Sequence, residues 1–262
     1  QSHTASLAGS FEAFAALCRE QGVLLPKSTD DMIRTAHILT RFPGRRTVAG
    51  VGVVSSSGGG AGIASDRLSE AGLPLAKLER ATIDKLEEKL LTPQAQNPID
   101  LGGRKVPESV DITTDCTATL LADPHVGYGF AVLASMPFYG MRALRISEAV
   151  HASGKPSVVA LTVGALADEA RREMRKRDIF YTDGFEDGLR VLALLAENDN
   201  TRGLVETAPT RPAGLPAAAP GVLRAGAQTE SEVKQLLAAY GVSVAREILA
   251  ASADEAAEAA RI

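Results

Sequence analysis

The sequence predicts an α/β fold built on a doubly wound parallel sheet, and three observations carry that prediction. Residues 48–54 form an apolar, β-branched run of strand length that is continuous rather than alternating, as expected of a parallel strand covered on both faces. Strand-like runs alternate with helical stretches of about 10–15 residues, the pattern of βαβ units joined by right-handed crossovers. The first strong strand passes through a glycine-rich turn, Ser55 to Gly60, directly into a helical stretch at 61–71 carrying Ile63, Ala64 and Leu68 on one side and closed by Gly72.

Taken in order, a small polar opening leads at Ser10 into an amphipathic helix with Phe11, Phe14, Ala15, Leu17 and Cys18 at helical spacing, ended by Gly22. Residues 23–25 read as a short strand. Ser28 and Asp31 then cap a helix carrying Met32, Ile33, Ala36 and Leu39 that stops before Pro43. This helix–strand–helix reads as the tail of an α/β unit whose sheet lies upstream. From Thr47 to about Asn200 a full domain follows. Its second strand is expected at 73–78, followed by a helix capped by Thr82 and running to 91. A loop at 92–105 contains Asn97-Pro98-Ile99-Asp100-Leu101-Gly102-Gly103. Next come a helix at 108–122, a strand at 128–134, a loop at 135–140 and a helix at 141–153 stopped by Gly154 and Pro156. A strand at 157–162, a helix at 165–177, a short strand at 179–181 and a helix at 185–197 complete five strands in a flavodoxin-like arrangement. Residues 207–220, rich in Pro and Ala and without periodicity, are a linker. A helix at 229–240, a strand at 242–249 and a helix from Ser252 open a further α/β element.

Composition narrows the function. With 262 residues, 45% of them hydrophobic, the chain can bury a sizeable core. Its net charge of −4 gives no nucleic-acid surface. The basic run Arg171, Arg172, Arg175, Lys176 and Arg177 alternates with Asp168, Glu169 and Glu173 as a solvated helix face does. Cys18 and Cys116 both sit in helical patterns and read as reduced, buried thiols. No apolar run reaches the ~18 residues of a membrane span and no signal peptide is visible, so no membrane role and a cytoplasmic location are expected. His37, His125 and His151 share no metal-ligand spacing with another donor, and no structural metal is expected. The chain begins at Gln1 and ends within a helical pattern, which reads as a piece of something longer.

The glycine turn matches neither the dinucleotide fingerprint nor the Walker A pattern, which needs a Lys followed by Ser or Thr. A helix beginning there still presents unpaired N–H groups and the positive end of its dipole, a ready anion site. The same glycines would equally serve a plain strand-to-helix turn.

Four stretches together resemble the NDP-forming acyl-CoA synthetases, the ADP-forming acetate–CoA ligase relatives of succinyl-CoA synthetase. Residues 2–9, SHTASLAG, are similar to the segment around that family's phosphorylated histidine, with Ala5 and Ser6 where Gly and Ala are usual. Ser56-Ser57-Gly58-Gly59-Gly60-Ala61-Gly62 resembles the glycine loop of the family's second flavodoxin-like domain, with Gly60-Ala61 in place of Pro-Gly. Residues 97–101, NPIDL, match a motif of that same domain, and 229–250 resemble the entry into an ATP-grasp domain.

The resemblance implies that residues 1–45 end a first succinyl-CoA-ligase-like flavodoxin domain, 46–202 form a second, succinyl-CoA-synthetase-like one, 203–228 link, and 229–262 begin an ATP-grasp domain. It implies a complete enzyme that forms acyl-CoA from a carboxylic acid, CoA and ATP through acyl-phosphate and phosphohistidine intermediates. His3 would be the nucleophile. The turns at Ser57, Gly58, Gly59 and Gly60 and at Ser135, Met136, Pro137 and Gly140 would line the phosphoryl and acyl side, with Ser57 a polar contact. Met136, Phe138, Tyr139 and Met141 would wall the acyl pocket, while Asn97 and Asp100 hold a loop. CoA, ATP or ADP and Mg would serve the complete enzyme; no bound cofactor and no activity are expected of this piece without its CoA-binding and ATP-grasp domains. Its partners would be small-molecule substrates, with self-association into a homo-oligomer compatible. The alternative is a non-catalytic regulatory or CoA-sensing module of the same architecture, as in fusions to protein acetyltransferases. A receiver-like signalling domain lacks the paired Asp at a strand end that it would need.

Overall fold

A computed structural model describes residues 10–44, 48–107, 109–133, 139–207, 214, 227–248 and 250–261. The chain divides into two compact units, Gln1–Thr207 and Ala208–Ile262.

In the first unit, α1 (Phe11–Glu20) starts where the Ser10 hydroxyl accepts the Ala13 N–H at 3.3 Å. Likewise α2 (Thr29–Arg41) starts where Ser28 accepts the Asp31 N–H at 3.1 Å. Each cap satisfies one orphan donor of its helix. There follow β1 (Val51–Ser55), α3 (Gly58–Glu70), α4 (Arg80–Glu87), β2 (Ile99–Asp100), α5 (Thr113–Ala122), β3 (Tyr128–Leu133), α6 (Tyr139–Ala152), β4 (Ser157–Leu161), α7 (Asp168–Lys176), β5 (Tyr181–Thr182) and α8 (Phe185–Glu206). The five strands are all parallel, in the order β2-β1-β3-β4-β5, which is the flavodoxin-like order. Strands β1, β3 and β4 are buried throughout, so alternate residues feed two cores. Val54, Ala131, Leu133, Val159 and Leu161 pack with Leu86, Leu120, Ile146 and Met174 on one face. Val51, Val53, Phe130, Val158 and Ala160 pack with Ile38, Leu68 and Leu192 on the other.

Several elements differ from the sequence reading. Residues 73–78 form no strand; a single bridge, Leu75 with Val51, is all that pairs there. Pro74 has no N–H to donate, although its carbonyl takes the Val51 N–H at 2.8 Å. The edge position goes to β2, registered Val54 with Ile99 and Ser55 with Asp100. Between the two contacts the Asn97 side chain replaces a peptide unit. Its Oδ1 accepts the Val53 N–H at 2.8 Å, and its Nδ2 donates to Val51 O at 2.8 Å and Ala76 O at 2.9 Å. Asn97 thus holds the sheet edge rather than only a loop.

Residues 23–25 make no strand either: the Val23 N–H closes the end of α1 on Cys18 O at 2.7 Å. The three glycines belong to the first turn of α3, not to the loop before it. Helix α4 begins at Arg80, ahead of Thr82, because the Asp123 carboxylate accepts the Glu79 N–H at 2.8 Å from across the domain. Helix α5 starts at Thr113, where Asp111 accepts the Thr113 N–H at 3.0 Å. Helix α8 continues to Glu206 because Asn198, Asp199 and Thr201, polar residues past the expected end at 197, are buried, with Asp199 accepting the Tyr128 hydroxyl at 2.5 Å. Cys18 and Cys116 are free and buried within helices, and burial pushes the Cys116 thiol up to about 11.

The second unit contains α9 (Glu230–Ala239), opened by a capping box of Thr229 and Glu232, and α10 (Ala253–Ala259), capped by Ser252. The described part of 242–249 forms no strand, having no neighbouring strand to share a ladder. No helix among the described residues is long and apolar enough to cross a membrane.

Candidate functional site

Neighbouring strands β1 and β3 end side by side, and their helices leave in opposite directions: α3 packs on one face of the sheet, α6 on the other. Open α/β sheets bind ligands at such a switch point, outside the carboxyl ends of the strands.

The turn there is built by serine hydroxyls. Ser55, fully buried at the end of β1, donates its hydroxyl to Ser57 O at 2.9 Å and accepts the Ser57 N–H at 3.2 Å. Ser57, in extended backbone, accepts the Gly60 N–H at 3.1 Å and caps α3. That leaves the Gly58 and Gly59 amides at the open end of the helix, where the dipole also favours an anion. A Cβ at Gly59 would meet nothing within 4 Å, and one at Gly58 would meet only Asp100 Oδ2, at 3.6 Å. A Cβ at Gly60 would come within 2.7 Å of Ser55 Oγ. Asp100, at the end of β2, holds the Gly102 N–H on Oδ1 at 2.9 Å and turns its other oxygen toward the start of α3. An anion approaching this turn meets amides on one side and, on the other, a carboxylate able to accept a hydrogen bond from a group brought with it.

Across the switch point, Thr162 donates its hydroxyl to Leu133 O at 2.8 Å, joining the ends of β3 and β4. At the start of α6, a Cβ on Gly140 would lie 3.2 Å from Glu169 Oε2. Tyr139 is buried in the core. Burial pushes its hydroxyl up to about 12, against the pull of the Thr162 backbone and Arg171.

No protein-family model matches the chain. Over 212 residues it is 29% identical to subunit alpha of acetate–CoA ligase (ADP-forming) II of Pyrococcus furiosus, covering 77% of this chain and 45% of that one. Over 179 residues it is 31% identical to acetate–CoA ligase (ADP-forming) I of Archaeoglobus fulgidus, covering 68% of this chain and 25% of that one. The chain belongs to the ADP-forming acetate–CoA ligase family. It spans less than half the length of these two relatives. Its fold matches the dinucleotide forming acetyl-coenzyme A synthetase 1 of Ca. Korarchaeum cryptofilum, solved with phosphate and ADP, with a TM-score of 0.68 at 23% identity over 80% of this chain and 46% of that one.

Of the residues that resemblance to the acetate–CoA ligases singles out, Ser57, Gly58, Gly59 and Gly60 come together in one turn. Gly140 stands in the first turn of the adjacent crossover helix. His3, Ser135, Met136 and Pro137 lie outside the described residues, as does Phe138. Tyr139 is buried in the core, and Met141 is 46% exposed. The sequence reading gives Ser57 as a polar contact to the ligand; in the structure its hydroxyl also caps α3. It passed over Ser55, whose only signal is a hydroxyl at the end of an apolar run. No group of three or more His, Cys, Asp or Glu among the described residues is placed to hold a metal ion.

Proposed function

We propose that this chain supplies the phosphoryl-handling part of an acyl-CoA synthetase of the NDP-forming type. The observation that carries the reading is the glycine turn at the sheet's switch point. Two backbone amides and a helix dipole face outward there, and at Gly59 no side chain stands in the way. Membership of the acetate–CoA ligase family supports the chemistry. Acyl-CoA and phosphate exchange to acyl phosphate and free CoA; the acyl phosphate passes its phosphoryl group to His3, releasing the carboxylate; phosphohistidine then gives the group to ADP, restoring the imidazole. The reverse sequence makes the thioester. A neutral imidazole can serve as nucleophile, and dipoles fixed in advance need not reorganise as charge builds on the transferred group. Ser57 keeps the amides aimed by closing the helix at Gly60.

On this reading residues 1–45 and 46–202 are parts of two flavodoxin-like domains, 203–228 a linker and 229–262 the entry to an ATP-grasp domain. The nucleotide with its Mg, and most of the CoA, are bound by domains beyond this chain, which is inactive without them. The Pyrococcus furiosus relative is a subunit alpha, and the Korarchaeum structure holds phosphate and ADP, both in keeping with this division.

The test uses the complete enzyme carrying this chain, incubated with γ-labelled ATP and Mg. An acid-labile, base-stable phosphoryl adduct is expected in the wild type and lost in His3→Ala. An unlabelled wild type that still binds ATP would refute the catalytic reading and favour a CoA-sensing module.

A further inference from the structure

Where the chain enters α2 and meets α8, the two enclose a small cavity of about 230 Å³. Its α8 side is Arg190, Ala193, Leu194 and Glu197. These stand at i, i+3, i+4 and i+7, so a single stripe of the helix faces the space. The other side is Leu25, Lys27 and Asp31. No residue of the glycine turn or of α6 takes part.

Leu25, Ala193 and Leu194 are half-buried and give the cavity its apolar surface. The charged lining balances, with two cations and two anions. One of each is already paired: Arg190 Nε lies 3.2 and 3.3 Å from the two oxygens of the buried Asp31. Lys27 and Glu197 remain, one on each side, and neither side chain has a hydrogen bond or ion pair with any described residue. An anion alone would meet Glu197 as a like charge, and an amine alone would meet Lys27 as one. A molecule carrying both charges on a small apolar body satisfies the two sides together. The space is below the ~300 Å³ at which pockets for drug-sized ligands begin, so that molecule is small.

We propose that this cavity binds a free amino acid with an aliphatic side chain, its carboxylate on Lys27, its ammonium on Glu197 and its side chain against Leu25, Ala193 and Leu194. The Asp31–Arg190 pair sets where α2 lies on α8, so both sides are in place before the ligand arrives, which lowers the cost of binding. The site is independent of the phosphoryl chemistry: it shares no residue with the glycine turn, and binding here needs neither His3 nor the domains beyond this chain.

The test is an NMR titration of the isotopically labelled 262-residue chain at low salt. Its three arms use leucine, isocaproate, which lacks the amino group, and isoamylamine, which lacks the carboxylate. Leucine is expected to give saturable shifts at the amides of Lys27, Ala193, Leu194 and Glu197. Each single-charge analogue should bind at least tenfold more weakly, the scale of one charge-assisted hydrogen bond. Lys27→Gln and Glu197→Gln should each lower leucine affinity by a similar factor with an unchanged denaturation midpoint, since both residues are exposed. Either analogue binding as tightly as leucine would overturn the proposal. So would a leucine titration that does not saturate, shifts confined to other residues, or undiminished affinity in Glu197→Gln.

Discussion

A methyl group added at Gly59 would enter open space, whereas one at Gly60 would press within 2.7 Å of the Ser55 hydroxyl. That hydroxyl cannot swing aside freely, because it both donates to and accepts from the Ser57 backbone. Gly60→Ala should therefore lower stability by about 1–3 kcal/mol, the usual cost of overpacking. Gly59→Ala should hold stability or raise it by about 0.5–1 kcal/mol, since a helical alanine loses less entropy on folding. Urea denaturation of the two variants checks this, and equal losses would show that the Ser55 turn yields. In the complete enzyme the stable Gly59→Ala variant should nonetheless lose phosphoryl transfer, its methyl standing over the exposed amides. The glycine triplet was legible in the sequence as a turn leading into a helix, though not as that helix's own first turn. Which glycine serves packing and which serves access was not, because that depends on a hydroxyl locked by the fold. Asn97 was legible as a turn former for the same local reason, while its bonds to Val51, Val53 and Ala76 became visible only once the chain had brought those residues together.

Helices whose first turns are closed by a neighbouring residue were readable: Ser28 caps as read, and Ser10, Thr229 and Ser252 cap helices that the pattern starts at those residues. Helix α4 was misjudged at its start because its acceptor, Asp123, stands 44 residues away. Asp123 is buried, its carboxylate accepts the Glu79 and His125 amides, and its backbone carbonyl accepts a hydrogen bond from Lys155 Nζ at 2.8 Å. Burial pushes its carboxyl up, but the bonds from Thr82, Glu79 and His125 outweigh this and hold it below the usual range. A carboxyl depressed on folding contributes stability that is complete above its unfolded pKa, about 3.9, and that fades as pH falls through the lower folded value. Asp123→Asn should thus cost about 1–3 kcal/mol at pH 7, and the gap to wild type should narrow below about pH 4. Chemical denaturation from pH 7 to pH 3 reads this directly; a gap that stays constant would remove Asp123 as the acceptor that opens α4.

At the scale of the molecule, the parallel sheet between two helical layers was legible, since apolar runs and helical periods are local signals. How residues before the sheet join it was not. Helix α2 packs on α8, with Arg190 Nε 3.2 and 3.3 Å from the two oxygens of a buried Asp31 and Arg34 3.0 Å from Asp187. The Asp31–Arg190 partners are 159 residues apart, beyond any local pattern. Because Arg190 is 46% exposed, solvent screening weakens that pair as a source of stability; it sets where α2 lies more than how firmly. The firmer link is Ile38, which is fully buried in the core that also holds Val51 and Phe130. A contact of that kind couples α2 to the sheet, so the two should unfold together. Ile38→Ala, which leaves a cavity at that junction, should cost about 2–5 kcal/mol, and the loss should appear in hydrogen exchange of the β1 and β3 amides as much as in α2. Protection lost in α2 while the sheet keeps its own would mean that residues 10–44 open as a separate piece, and that the shared core contributes little to holding the first unit as one.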